Sequence, residues 1–326
     1  MSWSGIGVAA ATLGLALTVA TPSTSAITPE PVRANQDLPA MYDKGCQQNM
    51  QSAHVTSCRY GPGAARTTIA VFGDSKMAQW LPALERLAPR HGWRIVTYTK
   101  SNCVPADLLT TLSGNPYTSC RQWVRKVLNR LTGPDRPDLV LTTHRHSASG
   151  VGPLDEQRRA VRDALVATWS RLRDSGVPVV VMADNPSPPR ELTVWKCVAE
   201  QRPTVSPCAF DREQGIDFSA APVQRAAVIR AGGPARVDLR TGRRTQPAVA
   251  WVDLVDAICP GARCSPVLHG LLVYREGSHL TATFVRALSK DLERALLAAG
   301  VPSAASDGIG DPTGQSRRSA RSAGSR

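Results

Sequence analysis

The sequence predicts an α/β domain built on a mostly parallel sheet, and three observations carry that expectation. Short β-branched runs alternate with amphipathic helical stretches between residues 67 and 299, the pattern that lays helices over both faces of a sheet. One run, Val177 to Met182 (VPVVVM), is continuously apolar, as a strand covered on both sides must be. The first strand runs directly into Gly73-Asp74-Ser75, at the rim where sheets of this kind hold their ligands.

The elements follow in order. Thr67 to Phe72 (TTIAVF) is the first strand. Ala78 to His91 reads as a helix, because Trp80, Leu81, Leu84, Leu87 and Ala88 share a face. Gly92 closes it at the usual C-terminal position. Trp93 to Thr99 is the second strand. Cys120 to Leu131 is a second helix, with Trp123, Val127, Leu128 and Leu131 on one side. Asp138 to Thr143 is the third strand, Leu154 to Asp174 a long amphipathic helix, and Val177 to Met182 the fourth strand. Residues 184–220 read as an irregular excursion holding one cysteine couple. Pro222 to Ala231 is a helix, Ala248 to Leu254 the fifth strand, and Leu280 to Ala299 the final helix.

A chain of 326 residues is long enough for a well-buried core. Its flanks differ in character. Gly5 to Ala20 is apolar and uncharged, and the small residues Pro22 to Ala26 follow it. Residues 1–26 are therefore expected to be a signal peptide or a single membrane anchor. Residues 27–42 read as a linker, 43–302 as the folded domain, and 303–326 as a disordered basic tail with too few large apolar groups to fold.

The formal net charge is +13, and with only six lysines among 39 basic residues the excess is arginine. Solvated surface is the ordinary reading of such an excess. An anionic envelope partner is the alternative. Nucleic acid is not expected, since aromatics are scarce at 5% and no zinc-finger, homeodomain or RNP pattern occurs.

The eight cysteines fall into local couples: Cys46 with Cys58, Cys103 with Cys120, Cys197 with Cys208, and Cys259 with Cys264. Each couple brackets a loop-like stretch, and local disulfides are expected. Such bridges form in an oxidising compartment, so the expected location is extracytoplasmic, secreted or anchored facing outward. His144 and His146 share a face after the third strand, but no third ligand stands at a suitable spacing, so neither a metal nor another cofactor is expected.

The chemistry centres on Ser75. A serine needs a base to take its proton and a turn that presents its oxygen. His279, just ahead of the last helix, is expected at the same rim, and Glu276 three residues earlier is the candidate acceptor for its second nitrogen. The backbone N–H of Ser75, at a helix start, is one candidate oxyanion donor, and Asn102 after the second strand is another. Lys76 is expected as a solvated surface charge.

Four runs then carry a family likeness: Val71-Phe72-Gly73-Asp74-Ser75, Ala78-Gln79-Trp80-Leu81-Pro82-Ala83-Leu84, Gly92-Trp93-Arg94-Ile95-Val96 and Thr99-Lys100-Ser101-Asn102-Cys103. With the closing run Val273 to Thr283, and with Cys120-Arg121-Gln122-Trp123 and Cys259-Pro260-Gly261, the chain resembles the SGNH hydrolase domain fused to many bacterial acyltransferase family 3 membrane proteins. The likeness covers roughly residues 42–298. It implies a three-layer, flavodoxin-like α/β/α sandwich. It also implies a serine esterase or O-acyltransferase acting on O-acyl groups, commonly acetyl, of cell-envelope glycans or related acceptors. Position by position, Ser75 matches the nucleophile and His279 the base, and Glu276 stands where aspartate is usual. Lys76 stands where histidine is common. Family members usually carry an upstream multi-helix membrane domain, so residues 1–26 would match the remnant of its last span, with a separate membrane protein as acyl donor. The alternative reading is a degenerate domain that binds glycan without turning it over.

Overall fold

The computed structural model describes residue 1 and residues 26–146, 148–150, 152–232 and 249–303. The expected signal or anchor and the expected basic tail lie almost wholly outside these.

A seven-stranded sheet forms the middle layer. Its strands are β1 (Gln47–Gln48), β2 (Arg59–Tyr60), β3 (Thr67–Gly73), β4 (Trp93–Lys100), β5 (Leu139–Thr143), β6 (Val179–Met182) and β7 (Val249–Val252). The order is β1-β4-β3-β5-β6-β7, all parallel. β2 pairs antiparallel along the outer edge of β4. The helices are α1 (Ser75–Ala78), α2 (Leu81–His91), α3 (Thr118–Leu131), α4 (Leu154–Asp174), α5 (Val194–Gln201), α6 (Arg212–Asp217), α7 (Ala221–Gly232), α8 (Val255–Ile258), α9 (Ala282–Ala287) and α10 (Ser289–Ala298).

The strand period of two divides the core. In β3, Ile69 and Val71 join one cluster, built with α2, α5, α9 and α10. Ala70 and Phe72 join the other, built with α3, α4 and α7. The same split recurs in β6, where Val180 and Met182 face one way and Val179 and Val181 the other. Helices thus cover both faces of the sheet, the three-layer α/β arrangement that the alternation of elements predicted.

Three stretches differ from the sequence expectation. The helix read over 78–91 begins only at Leu81, after the separate turn α1 that ends at Ala78, because Pro82 at the start of α2 has no N–H and its ring excludes a carbonyl one turn earlier. The final helix starts at Ala282, where the Thr281 hydroxyl caps the Phe284 N–H, and it breaks at Leu288. Residues 184–220 are not irregular but contain α5 and α6, only eight and six residues long, too short to show a period. The four local disulfides all form as expected.

Candidate active site

β3 ends at Gly73, where a side chain has no room. A Cβ there would lie 2.2 Å from the Thr143 carbonyl oxygen of β5 and 2.7 Å from the Met77 Cβ of α1. Glycine therefore lets α1 fold back onto the strand ends. Asp74 fixes the turn: its Oδ1 accepts the Lys76 N–H at 2.8 Å and its Oδ2 the Arg145 N–H at 3.0 Å. Complete burial raises the Asp74 carboxyl to about 7, with those two N–H donors opposing the rise.

Ser75 follows as the first residue of α1, and its Oγ lies 2.8 Å from His279 Nε2. The two stand 204 positions apart in the chain and are brought together by the fold. His279 Nδ1 lies 3.1 Å from a carbonyl oxygen, and that oxygen belongs to the Glu276 backbone. The sequence reading placed the Glu276 carboxylate there; instead the Glu276 side chain is exposed. The reason is local. The His279 N–H donates to the same Glu276 carbonyl at 3.0 Å, closing a β-turn through Gly277 (φ 53) and Ser278. Such a turn brings the carbonyl of its first residue against its fourth and sends the first side chain outward.

With Nδ1–H donated to a carbonyl, Nε2 is the acceptor for the serine hydroxyl. Burial holds the imidazole well below its ordinary pKa. The positive charges of Lys76, Arg275 and Arg145 act the same way, and the Glu276 carbonyl opposes them.

Lys76 is not a surface charge. Its side chain is fully buried, and Nζ lies 2.9 Å from Asp184 Oδ1, 2.9 Å from Asn185 Oδ1 and 2.8 Å from the Ser278 carbonyl oxygen. No spacing rule points to these contacts, since the bonded groups lie 109 and 202 residues from Lys76.

Asn102, the second candidate oxyanion donor, has left-handed backbone (φ 53). Its Nδ2 donates to Met50 Sδ at 3.3 Å, and its Oδ1 lies 3.3 Å from His146 Nε2. The geometry engages the Asn102 amide with these two side chains. His144 is fully buried, with Nδ1 3.2 Å from Gln224 Nε2. Among the described residues no group of three His, Cys, Asp or Glu is placed to hold a metal. A cleft of about 480 Å³ opens between α4 and α7, lined by Arg158, Arg159, Arg162, Asp217 and Ser219 among others; Ser75 and His279 are not in its walls.

A family model described as "SGNH domain (fused to AT3 domains)" matches residues 45–294. No curated protein matches the sequence. Among solved structures, the periplasmic domain of a lipopolysaccharide acetyltransferase from Salmonella ser. Paratyphi A superposes with TM-score 0.50 at 13% identity, over 72% of this chain and 85% of that one. A protein from Bacteroides fragilis NCTC 9343 described as a "putative acylhydrolase" superposes with TM-score 0.40 at 12% identity, over 73% of this chain and 90% of that one. At 13% identity the likeness to the Salmonella domain concerns the fold alone.

Proposed function

The chain belongs to the family of SGNH domains fused to AT3 domains, and from that premise we propose that it is a serine esterase or O-acyltransferase. Ser75 is the nucleophile and His279 the base. The observation that supports this is the 2.8 Å contact between Ser75 Oγ and His279 Nε2 at the carboxyl rim of the sheet.

The steps follow from the groups present. His279 Nε2 takes the hydroxyl proton as Ser75 Oγ attacks the ester carbonyl. The tetrahedral oxyanion collapses, the C–O bond to the leaving alcohol breaks, and that alcohol leaves with the proton from His279. An acyl-serine remains. Water, or a sugar hydroxyl, then gives a proton to His279 and attacks the acyl carbon, and Ser75 is released with its proton restored. The Ser75 N–H is the oxyanion donor by position, and the Glu276 carbonyl holds the imidazole tautomer. α1 is a single turn, so its dipole adds little to the N–H itself.

The substrate class is an O-acylated, chiefly O-acetylated, envelope glycan, with a membrane protein as the source of acyl groups where transfer rather than hydrolysis occurs. Four disulfides favour an extracytoplasmic site of action. No described helix is long and apolar enough to cross a membrane.

A second reading, a domain that binds acylated glycan without turning it over, draws on the carbonyl rather than carboxylate at His279 Nδ1. A fluorophosphonate probe separates the two. Under the enzymatic reading the wild type is labelled, Ser75→Ala is not, and His279→Ala is labelled at least ~10³-fold more slowly. Absence of labelling in folded wild type would favour the binding domain.

A further inference from the structure

We propose that Lys76 is the positioning residue of the catalytic pair, holding the His279 loop against the helix that carries Ser75. This rests on Ser75 and His279 acting as nucleophile and base.

Lys76 is the residue after the nucleophile and has no exposure to solvent. Its Nζ meets three oxygens: Asp184 Oδ1 at 2.9 Å, Asn185 Oδ1 at 2.9 Å and the Ser278 carbonyl at 2.8 Å. The Asn185 and Ser278 oxygens accept hydrogen bonds from Nζ, and Asp184 Oδ1 stands beside it as the counter-ion of an ion pair. Burial lowers the Lys76 pKa from its ordinary value, and the Asp184 carboxylate beside it opposes the fall.

The contacts bracket His279. On one side the Ser278 carbonyl is held twice, by Lys76 Nζ and by Asn185 Nδ2 at 2.9 Å. On the other, the Leu280 N–H donates to Gln79 Oε1 at 3.1 Å. Gln79 Nε2 returns to Asn185 Oδ1 at 2.9 Å. Gln79 is the C-cap of α1, the helix that starts at Ser75 and contains Lys76. One helical turn thus supplies the nucleophile and two of the side chains that fix the base. This short closed network ties the His279 segment directly to the helix that carries Ser75.

The ammonium has an electrostatic consequence too. His279 faces the charges of Lys76, Arg275 and Arg145, and its Nδ1 faces only the neutral Glu276 carbonyl. Lys76 itself faces Asp184, Asp74 and Arg145. A fixed cation beneath the imidazole disfavours the protonated ring, so Lys76 keeps His279 in the form that can accept a proton.

The test uses Lys76→Met and the double variant Lys76→Met/Asp184→Asn. The single variant leaves Asp184 buried without its counter-ion and is expected to lose stability. The double variant removes both charges, and the asparagine can still accept the Ala220 N–H now bound at 3.0 Å by Asp184 Oδ2. Two readouts are needed. The His279 ring is titrated by NMR, with its signal assigned by its absence in His279→Gln. Its pKa is expected to rise by about one unit in the double variant. Fluorophosphonate labelling of Ser75 is followed against pH, and it is expected to slow at least ~10-fold at its optimum while its acid limb moves up with the titration. A folded double variant with an unchanged His279 titration overturns the proposal. So does a wild-type labelling rate in that variant. The titration needs no turnover, so failure of the enzymatic reading, seen as unlabelled wild type, stays distinguishable from failure of this one.

Discussion

At the residue scale the proposed base, His279, is oriented by backbone. A carboxylate at Nδ1 stabilises the imidazolium by charge; the Glu276 carbonyl fixes the tautomer and supplies only a dipole. Glu276→Gln keeps that carbonyl and the turn, so kcat for a small acetyl ester is expected to stay within about threefold of wild type, as is that of Glu276→Asp. A loss approaching the ~10⁴-fold seen when a triad carboxylate is made an amide would show that the side chain swings in and does the orienting. The pair of Ser75 and His279 was legible in the sequence because each stands at a strand–helix boundary, which topology sends to one rim. The role of Glu276 was not. Spacing of three residues fits both a side-chain contact and a β-turn, and only the backbone path distinguishes them. Lys76 was illegible for a different reason: a lone lysine in a sequence is exposed by default, and its two acceptors and its counter-ion are remote in the chain.

At the element scale the junction of β3 and α1 carries the site. Gly73 sits where β3, β5 and α1 come closest, and its missing side chain sets that distance. Gly73→Ala is expected to destabilise by about 1–3 kcal/mol, since the nearest obstacle is the Thr143 carbonyl and backbone yields little. Gly63→Ala, where nothing lies within 4 Å of the added carbon, is expected within about 0.5 kcal/mol of wild type. Urea unfolding of both variants measures the contrast, and equal effects would mean that the junction is softer than its packing implies. The five central strands were legible because β5 and β6 are buried on both faces and read as apolar runs, while β4 alternates buried and half-buried residues with the strand period. β1 and β2 have two residues each and pair only at the edge of β4, so they leave no pattern. The split of α1 from α2 was foreshadowed by Pro82, which the apolar spacing overrode in the reading.

At the scale of the whole molecule, four disulfides tie short loops around the rim and edges of the sheet. In a chain-entropy account the bridge across the 17 residues from Cys103 to Cys120 contributes about 3 kcal/mol. Acid acts against this, through buried histidines. His144 and His146 are held neutral by burial, with pKa values lowered to about 3 and about 4, and His279 is lowered as well. In the unfolded chain each would titrate near ~6.5. As pH falls below that value the unfolded state takes up protons that the folded state refuses. Stability is therefore present above about pH 6.5 and is lost as pH falls toward the folded values. Asp74 runs the other way. Its folded pKa of about 7 lies above its ordinary value, so the folded state binds one proton that the unfolded state does not, until pH falls to about 4. Three histidines act in one direction and one carboxyl in the other, so stability falls as pH drops from about 6 to 4.5, by about 1.4 kcal/mol per pH unit for each net proton. Urea unfolding at pH 7, 6 and 5 measures that slope, and His144→Gln is expected to make it shallower by removing one of the three histidines. A free energy that stays level or rises from pH 6 to 5 would mean that these imidazoles are protonated in place, with water or a carboxylate reaching them in solution.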